Sequence, residues 1–488
     1  MSNYIIDKQD LIIIGGGTSG IMCALGALHY GFKVTLICNN SECLSSLSTE
    51  IIPTRAFSYC ANLANSIKNA SKFGLDVQLG EINLNKIRSY INNITQDLHH
   101  ENDIDTFEKL GGHLIIGNPM FIDPYTIIVG NKKLISKYFI IATGIREATN
   151  NILNLQRSDF ITYKQIFYPN TNIILRKIII LGGRIETLEI AQSLARLGSK
   201  VVIIFNQNNL LPLEDPELVK KLKTILEQEG ITFCFSIKIL EFYRQHQRKL
   251  LRCQDLNGNL FAIDGDEIID MQTTAPNVEG LGLTNANVKY SKEGILVNNK
   301  LQTTQKNIFS LGSVIKNQFK SVHTMEYQSN IILSNMIFKI PRKIDYNLIP
   351  RVIYTYPQLA TLGKTRILPS TINHIEILQF DFKDIDAAIY QQNCAGEIKL
   401  ICNNNKLLGV SILGPLATEI ITEFNLILQL GADVSEVAKS IHCYPSLSQI
   451  NKRVAHKIFD KKSTTPTANF EKALIKIQRV FTGFSFAN

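Results

Sequence analysis

One stretch of this chain is written twice. Residues 11–37 and 178–204 align without a gap at an offset of 167. Each reads as a short apolar strand, a glycine turn, a helix closed by glycine and a second apolar strand. The first copy has Leu11–Ile14, a turn from Gly15 to Gly20, a helix to Gly31 and Lys33–Ile37. The second has Ile178–Leu181, a turn opening on Gly182, a helix to Gly198 and Lys200–Ile204. A strand, glycine turn, helix and strand make the βαβ dinucleotide-binding unit, and the surrounding pattern makes the glycines informative. Written twice, it confines the chain to α/β architectures with two Rossmann-like nucleotide-binding domains. Residues 11–30 are apolar and long enough to suggest a membrane span, but their five glycines in a strand–turn–helix pattern mark them as buried.

Composition narrows the class further. At 488 residues and 45% apolar content, the chain suits about three domains of ordinary size and needs no metal or disulfide for stability. Its net charge of +9 forms no dense cluster outside the C-terminus, which argues against a nucleic-acid protein. Nine cysteines, an odd number at irregular spacing, do not make a secreted disulfide framework. The first ten residues contain no apolar signal region, so a cytoplasmic location is expected.

In the first copy Gly15 permits the tight turn, Gly17 lets a pyrophosphate approach the backbone, and Gly20 lets helix and strand pack closely. The helix N-terminus then offers free N–H groups to the phosphates. The second copy keeps Gly182 but has Arg184 at the close-approach position and Thr187 at the helix-packing position. Either the Arg184 guanidinium pairs with a phosphate, or its bulk marks lost nucleotide binding. Neither copy carries the ribose-anchoring acid: Cys38 and Phe205 stand there, and Phe205 removes the acceptor outright.

With these residues the chain resembles the FAD-dependent pyridine nucleotide-disulfide oxidoreductases, the group of dihydrolipoamide dehydrogenase and mercuric reductase. Further ordered motifs carry the likeness: Ile140–Gly144, Leu211–Glu217, Ala275–Gly282, Ile308–Gly312, Pro350–Pro357, Gly409–Pro415 and Ile441–Pro445. The resemblance implies an FAD domain from residues 1–150 and 276–345, an NAD(P)-binding-like domain at 151–275, and an α+β dimerisation domain at 346–460. A basic amphipathic tail follows at 461–488. It also implies a homodimer in which hydride passes from NAD(P)H to FAD and then to a redox disulfide. Gly15, Gly17, Thr18, Ser19, Gly20, Ala142, Thr143, Gly144, Gly312 and Ser313 would contact FAD, and no metal site is implied.

Several positions depart from the family pattern. With Ile52–Ala56 as the counterpart of the family's Ile-Pro-Ser-Lys-Ala, the redox cysteines fall on Ser46 and Ile51, neither of which can cycle through a disulfide. Cys38 and Cys43 share the right spacing but lie near the adenosine end of the flavin site. The family's His–Glu acid–base dyad falls on Tyr444 and Gln449, neither of which titrates near neutrality. Tyr444 alone points towards mercuric reductase and its relatives, although the metal-binding domain and the C-terminal cysteine pair of those enzymes are missing. His442 is expected to be structural, and Cys60 and Cys443 to be buried and inert. Ser313 replaces an Asp that contacts the ribitol, and Gln272–Thr274 replaces the nicotinamide-side TGR. One charged pair survives: Arg55 and Glu189 take the places of a Lys and a Glu beside the flavin. They are expected in contact, as a flavin-side pair or an inter-domain salt bridge.

In the tail, Phe470, Leu474, Ile477, Phe481 and Phe484 recur at helical spacing with Lys472, Lys476 and Arg479 between them. Such a helix either packs on the dimer or gives residues 466–488 a weak contact with a membrane surface. Two functions remain in competition. One is an FAD-dependent oxidoreductase working without the dithiol; the other is a non-catalytic homodimeric scaffold that keeps only the fold.

Overall fold

The computed structural model describes residues 5–39, 51–98, 104–147, 152–168, 176–272, 274–316, 321–366 and 375–462. They fall into two units, one from residues up to 209 together with 227–345, the other from 210–226 together with residues from 346 onward.

The first unit opens with β1 (Ile5–Ile14), α1 (Thr18–His29), β2 (Val34–Cys38), α2 (Ile52–Lys68), α3 (Leu84–Asp97) and α4 (Ile104–Lys109). Four strands follow: β3 (His113–Ile116), β4 (Pro119–Asp123), β5 (Thr126–Val129) and β6 (Lys132–Ile141). Their sheet runs β3-β2-β1-β6-β5-β4, parallel from β3 to β6 and antiparallel beyond. Leu11 to Ile14 are buried without alternation, as a parallel strand covered on both faces requires.

The second repeat supplies β7 (Ile145–Glu147), β8 (Ile161–Thr162), β9 (Lys177–Leu181), α5 (Glu186–Arg196), β10 (Lys200–Ile204), α6 (Pro216–Gln228) and β11 (Ile231–Cys234). An antiparallel meander of β12 (Lys238–Gln245), β13 (Arg248–Gln254) and β14 (Leu260–Gly265) leads to β15 (Glu267–Asp270) and β16 (Thr274–Pro276). The parallel sheet runs β11-β10-β9-β15-β8, and β16 pairs with β7. A short hairpin of β17 (Tyr290–Ser291) and β18 (Gly294–Ile295) precedes β19 (Ile308–Ser310) and α7 (Val322–Ile337). Strand β19 pairs parallel with β6, returning the chain to the first sheet.

The second unit is α+β. Strands β20 (Arg351–Ile353), β21 (Gln358–Gly363) and β22 (Ile375–Asp381) precede α8 (Asp386–Tyr390), β23 (Glu397–Asn403) and β24 (Lys406–Gly414). Helices α9 (Ala417–Leu430), α10 (Val434–Lys439) and α11 (Gln449–Lys462) complete it. The antiparallel sheet, in order β20-β21-β24-β23-β22, shares one apolar core with these helices. Charge ties residues 210–226 into this unit. Buried Glu214 accepts from Arg351 Nε at 2.9 Å and Nη2 at 3.1 Å, and from Thr361 Oγ1 at 2.5 Å. Lys399 reaches Asp215 at 2.9 Å and Glu217 at 2.8 Å.

Among the described residues, no helix is long and apolar enough to cross a membrane. The apolar stretch at 11–30 instead divides into β1 and α1, as its glycines require. The tail helix expected at 466–488 lies outside the described residues.

Candidate functional site

The first glycine turn sits where the strand order of the first sheet reverses, the place at which α/β sheets bind ligands. Gly15 leaves β1 with φ +110°, its N–H donating to Ile37 O at 2.8 Å. A Cβ on Gly15 would overlap the Ala142 carbonyl oxygen, and one on Gly20 would overlap the Gly15 carbonyl oxygen. Both positions therefore demand glycine for space. Ala142 N donates to Ile14 O at 2.8 Å, so the turn after β6 stands directly beside the turn after β1. Gly312 follows β19, and a Cβ on it would lie 2.8 Å from Ser19 Oγ. The carboxyl ends of β1, β6 and β19 thus bring Gly15, Gly17, Thr18, Ser19, Gly20, Ala142, Thr143, Gly144, Gly312 and Ser313 together.

These residues fit an anionic dinucleotide. Helix α1 starts from Gly17 with no side-chain cap and no acid in its first turn. No acid of its own first turn neutralises its positive end, which suits a pyrophosphate. Two residues that sequence inspection passed over hold the walls. Asn277 donates Nδ2 to Thr143 O at 2.8 Å, while Thr143 Oγ1 donates to Asn277 O at 2.7 Å. Gln328, fully buried on α7, accepts Gly312 N at 2.9 Å, and its Nε2 has no hydrogen-bond partner among the described residues. Asn277 lies within the recognised segment 275–282; Gln328 belongs to no motif.

Arg55 Nη1 donates to Glu189 Oε2, joining α2 to α5, and the Glu189 side chain is only 1% exposed. The same two helices meet again through Ser193 Oγ and Ser58 Oγ at 3.1 Å, and through Arg196 and Asn62. Ile51, half-buried, precedes the first residue of α2. Ser46, Cys43 and Thr273 lie outside the described residues. The 161–167 segment adds Tyr163, which sequence inspection missed. Its buried hydroxyl is hydrogen-bonded to Thr54 Oγ1, and Arg184 lies 4.8 Å over its ring. Burial, then the Glu186 charge, push the Tyr163 phenol up, so it stays protonated.

The second turn is shaped differently. Helix α1 opens on an α-type bond, Ile21 N to Gly17 O at 3.0 Å. Helix α5 opens on tighter bonds, Thr187 N to Arg184 O and Leu188 N to Ile185 O, both 3.2 Å. Glu186, in the first turn of α5, accepts Arg184 Nε–H at 3.3 Å. Burial alone would raise the Glu186 carboxyl, but Arg184 and Arg55 outweigh it and hold the group below the usual carboxylate range. Phe205, 5% exposed, stacks on Phe235 at 5.3 Å and Phe233 at 6.4 Å, with planes within 12°. Its ring stands 3.0 Å from where a Cβ on Gly182 would be. Cys38 is buried at the end of β2.

In the second unit Tyr444 is 70% exposed and donates its hydroxyl to Asp386 Oδ2 at 2.9 Å, a bond that pushes the phenol up. Gln449 opens α11. His442 Nε2 meets Glu423 Oε2 at 3.1 Å and its Nδ1 meets Ser440 Oγ at 3.2 Å, a fastened position within its own unit. Cys60 is half-buried, and burial pushes its thiol up. Cys443 departs from expectation: it is exposed among the described residues, in a loop between α10 and α11.

Residues 9–329 match the family model for pyridine nucleotide-disulphide oxidoreductases, and residues 349–455 match that family's dimerisation domain. The chain belongs to this family of FAD-binding proteins that take NAD(P)H as substrate. It is 26% identical over 462 residues to mercuric reductase of Lysinibacillus sphaericus, covering 93% of this chain and 83% of that protein. Over 460 residues it is 27% identical to dihydrolipoyl dehydrogenase of Bacillus subtilis, covering 91% and 96%. Among solved structures, the HOCl-induced flavoprotein disulfide reductase RclA from Escherichia coli superposes with a TM-score of 0.79 at 20% identity, covering 91% of this chain and 99% of that one. LpdA from Mycobacterium tuberculosis gives a TM-score of 0.81 at 18% identity, covering 92% and 99%. The structural matches establish a shared fold.

Proposed function

We propose that this protein is a homodimeric FAD-dependent oxidoreductase that accepts electrons from NAD(P)H and passes them from the flavin to an acceptor without a dithiol relay. The first glycine turn carries the reading: Gly15 and Gly20 are sterically obligatory, and α1 keeps its positive end uncapped. Residues 1–150 and 276–345 form the FAD domain, 151–275 the coenzyme domain and 346–460 the dimerisation domain. Ser46 and Ile51 stand at the family's redox positions, and a hydroxyl and an alkyl chain store no electrons. Arg55 and Glu189 hold charge on the flavin side. Ile441 and Tyr444, 98% and 70% exposed, lie in the stretch that the family lends to its partner subunit, which supports a second copy as their cover.

Anaerobic titration of the purified protein, followed by its visible spectrum, tests this. The expected protein is yellow, is bleached by NADH or NADPH, and takes up two electrons per FAD. Uptake of four would mean that a thiol pair still accepts electrons. A colourless protein that stays free of added FAD would instead identify a scaffold.

A further inference from the structure

The two βαβ turns differ in what stands at the helix N-terminus. At α1 no side chain caps the first turn and no acid lies within it. At α5 the first residue is Glu186, whose carboxylate accepts the Nε–H of Arg184 at 3.3 Å. The next two N–H groups are turned inward, Thr187 to Arg184 O and Leu188 to Ile185 O. Thr187 Oγ1 is wholly buried and, among the described residues, has no hydrogen-bond partner. Arg184, at the close-approach position, folds over Tyr163.

We propose that Glu186 is an internal anion standing in the place of the coenzyme pyrophosphate, so that NAD(P)H binds only by displacing it and pairing with the freed Arg184. The inference rests on the reading that the second βαβ unit takes NAD(P)H. A carboxylate and a phosphate want the same things there: main-chain N–H groups, the positive end of α5 and a guanidinium. Glu186 is tethered at the spot, so a dissolved coenzyme competes against a permanent neighbour. Arg184 and Arg55 keep that neighbour ionised at neutral pH, because both favour its charged form. In the first copy, by contrast, Thr18 and Ser19 present no charge to compete with FAD.

Calorimetric titration of the FAD-loaded protein with ADP-ribose and with NADH tests the proposal. The variants are Glu186→Gln, Glu186→Ala and Arg184→Ala, the last also combined with Glu186→Gln. Glu186→Gln and Glu186→Ala should tighten both ligands about tenfold, and adding Arg184→Ala should reverse the gain. Unchanged or weaker binding in both Glu186 variants, or no binding of ADP-ribose by any form, overturns it. Retained flavin absorbance and melting temperature show that each variant is folded. Tighter ADP-ribose binding with a flavin that NADH cannot bleach keeps the proposal and removes the electron-input reading. Bleaching of the unaltered protein without tightening in the variants does the reverse.

Discussion

Arg351→Ala should loosen the second unit more than its half-buried position on a short strand suggests. Arg351 and Thr361 are directly opposite on β20 and β21, and both converge on Glu214. The Glu214 side chain is 6% exposed and that of Arg351 18%, so truncating the arginine strands the more deeply buried charge. Among the described residues, Thr361 is then the remaining side-chain donor, one neutral hydroxyl for a carboxylate. Removing one partner of a buried pair typically costs about 3–5 kcal/mol. Because a chain of several domains does not unfold in one step, the assay is native-state hydrogen exchange at α6, β20 and β21. A loss of about 3 kcal/mol corresponds to exchange faster by roughly two orders of magnitude. The paired replacement Glu214→Leu with Arg351→Met removes both desolvation costs and should recover most of that loss. If Arg351→Ala changes exchange less than about threefold, which is under 1 kcal/mol, or if the apolar pair is as damaging as the single change, the reasoning is refuted.

Other outcomes follow from single positions. Gly20→Ala forces the start of α1 off the Gly15 carbonyl and should abolish yellow colour in the purified protein; retained FAD would contradict the assigned steric role. Burial pushes the thiols of Cys23 and Cys253 up to about 12, so mass-spectrometric mapping after alkylation at pH 8 should find both unlabelled until the protein is denatured. Asp264 is held low by Lys177 and Arg248, and Asp159, although burial opposes it, by Arg244. Both carboxyls bind protons less readily folded than unfolded, so their contribution is present above about pH 4, the unfolded value, and is lost as pH falls through the folded values. Melting temperature should therefore decline on the acid side, and less so in Asp264→Asn, whose contribution is already gone.

Much of this molecule was legible in the chain itself. The 167-residue repeat established two βαβ units because strand, glycine turn and helix are short-range patterns, each written within about 30 residues. The same locality identified Gly15, Gly20 and the segment at 140–144, since a glycine demanded by backbone contact shows as a glycine. Pairing Arg55 with Glu189 across 134 positions required a family likeness to foresee. What no local pattern carried was the direction of side chains brought together by folding. Tyr163 meets Thr54 across 109 positions, and Glu214 meets Thr361 across 147. Cys443 is exposed among the described residues, and nothing in its neighbours' identities states that. Most telling are the paired turns. The sequence by itself showed that Arg184 and Thr187 break the glycine pattern, but only the tertiary structure decided that Glu186 would take up the helix end. Its carboxylate can turn back to Arg184 because the tighter opening of α5 keeps the two residues in one turn.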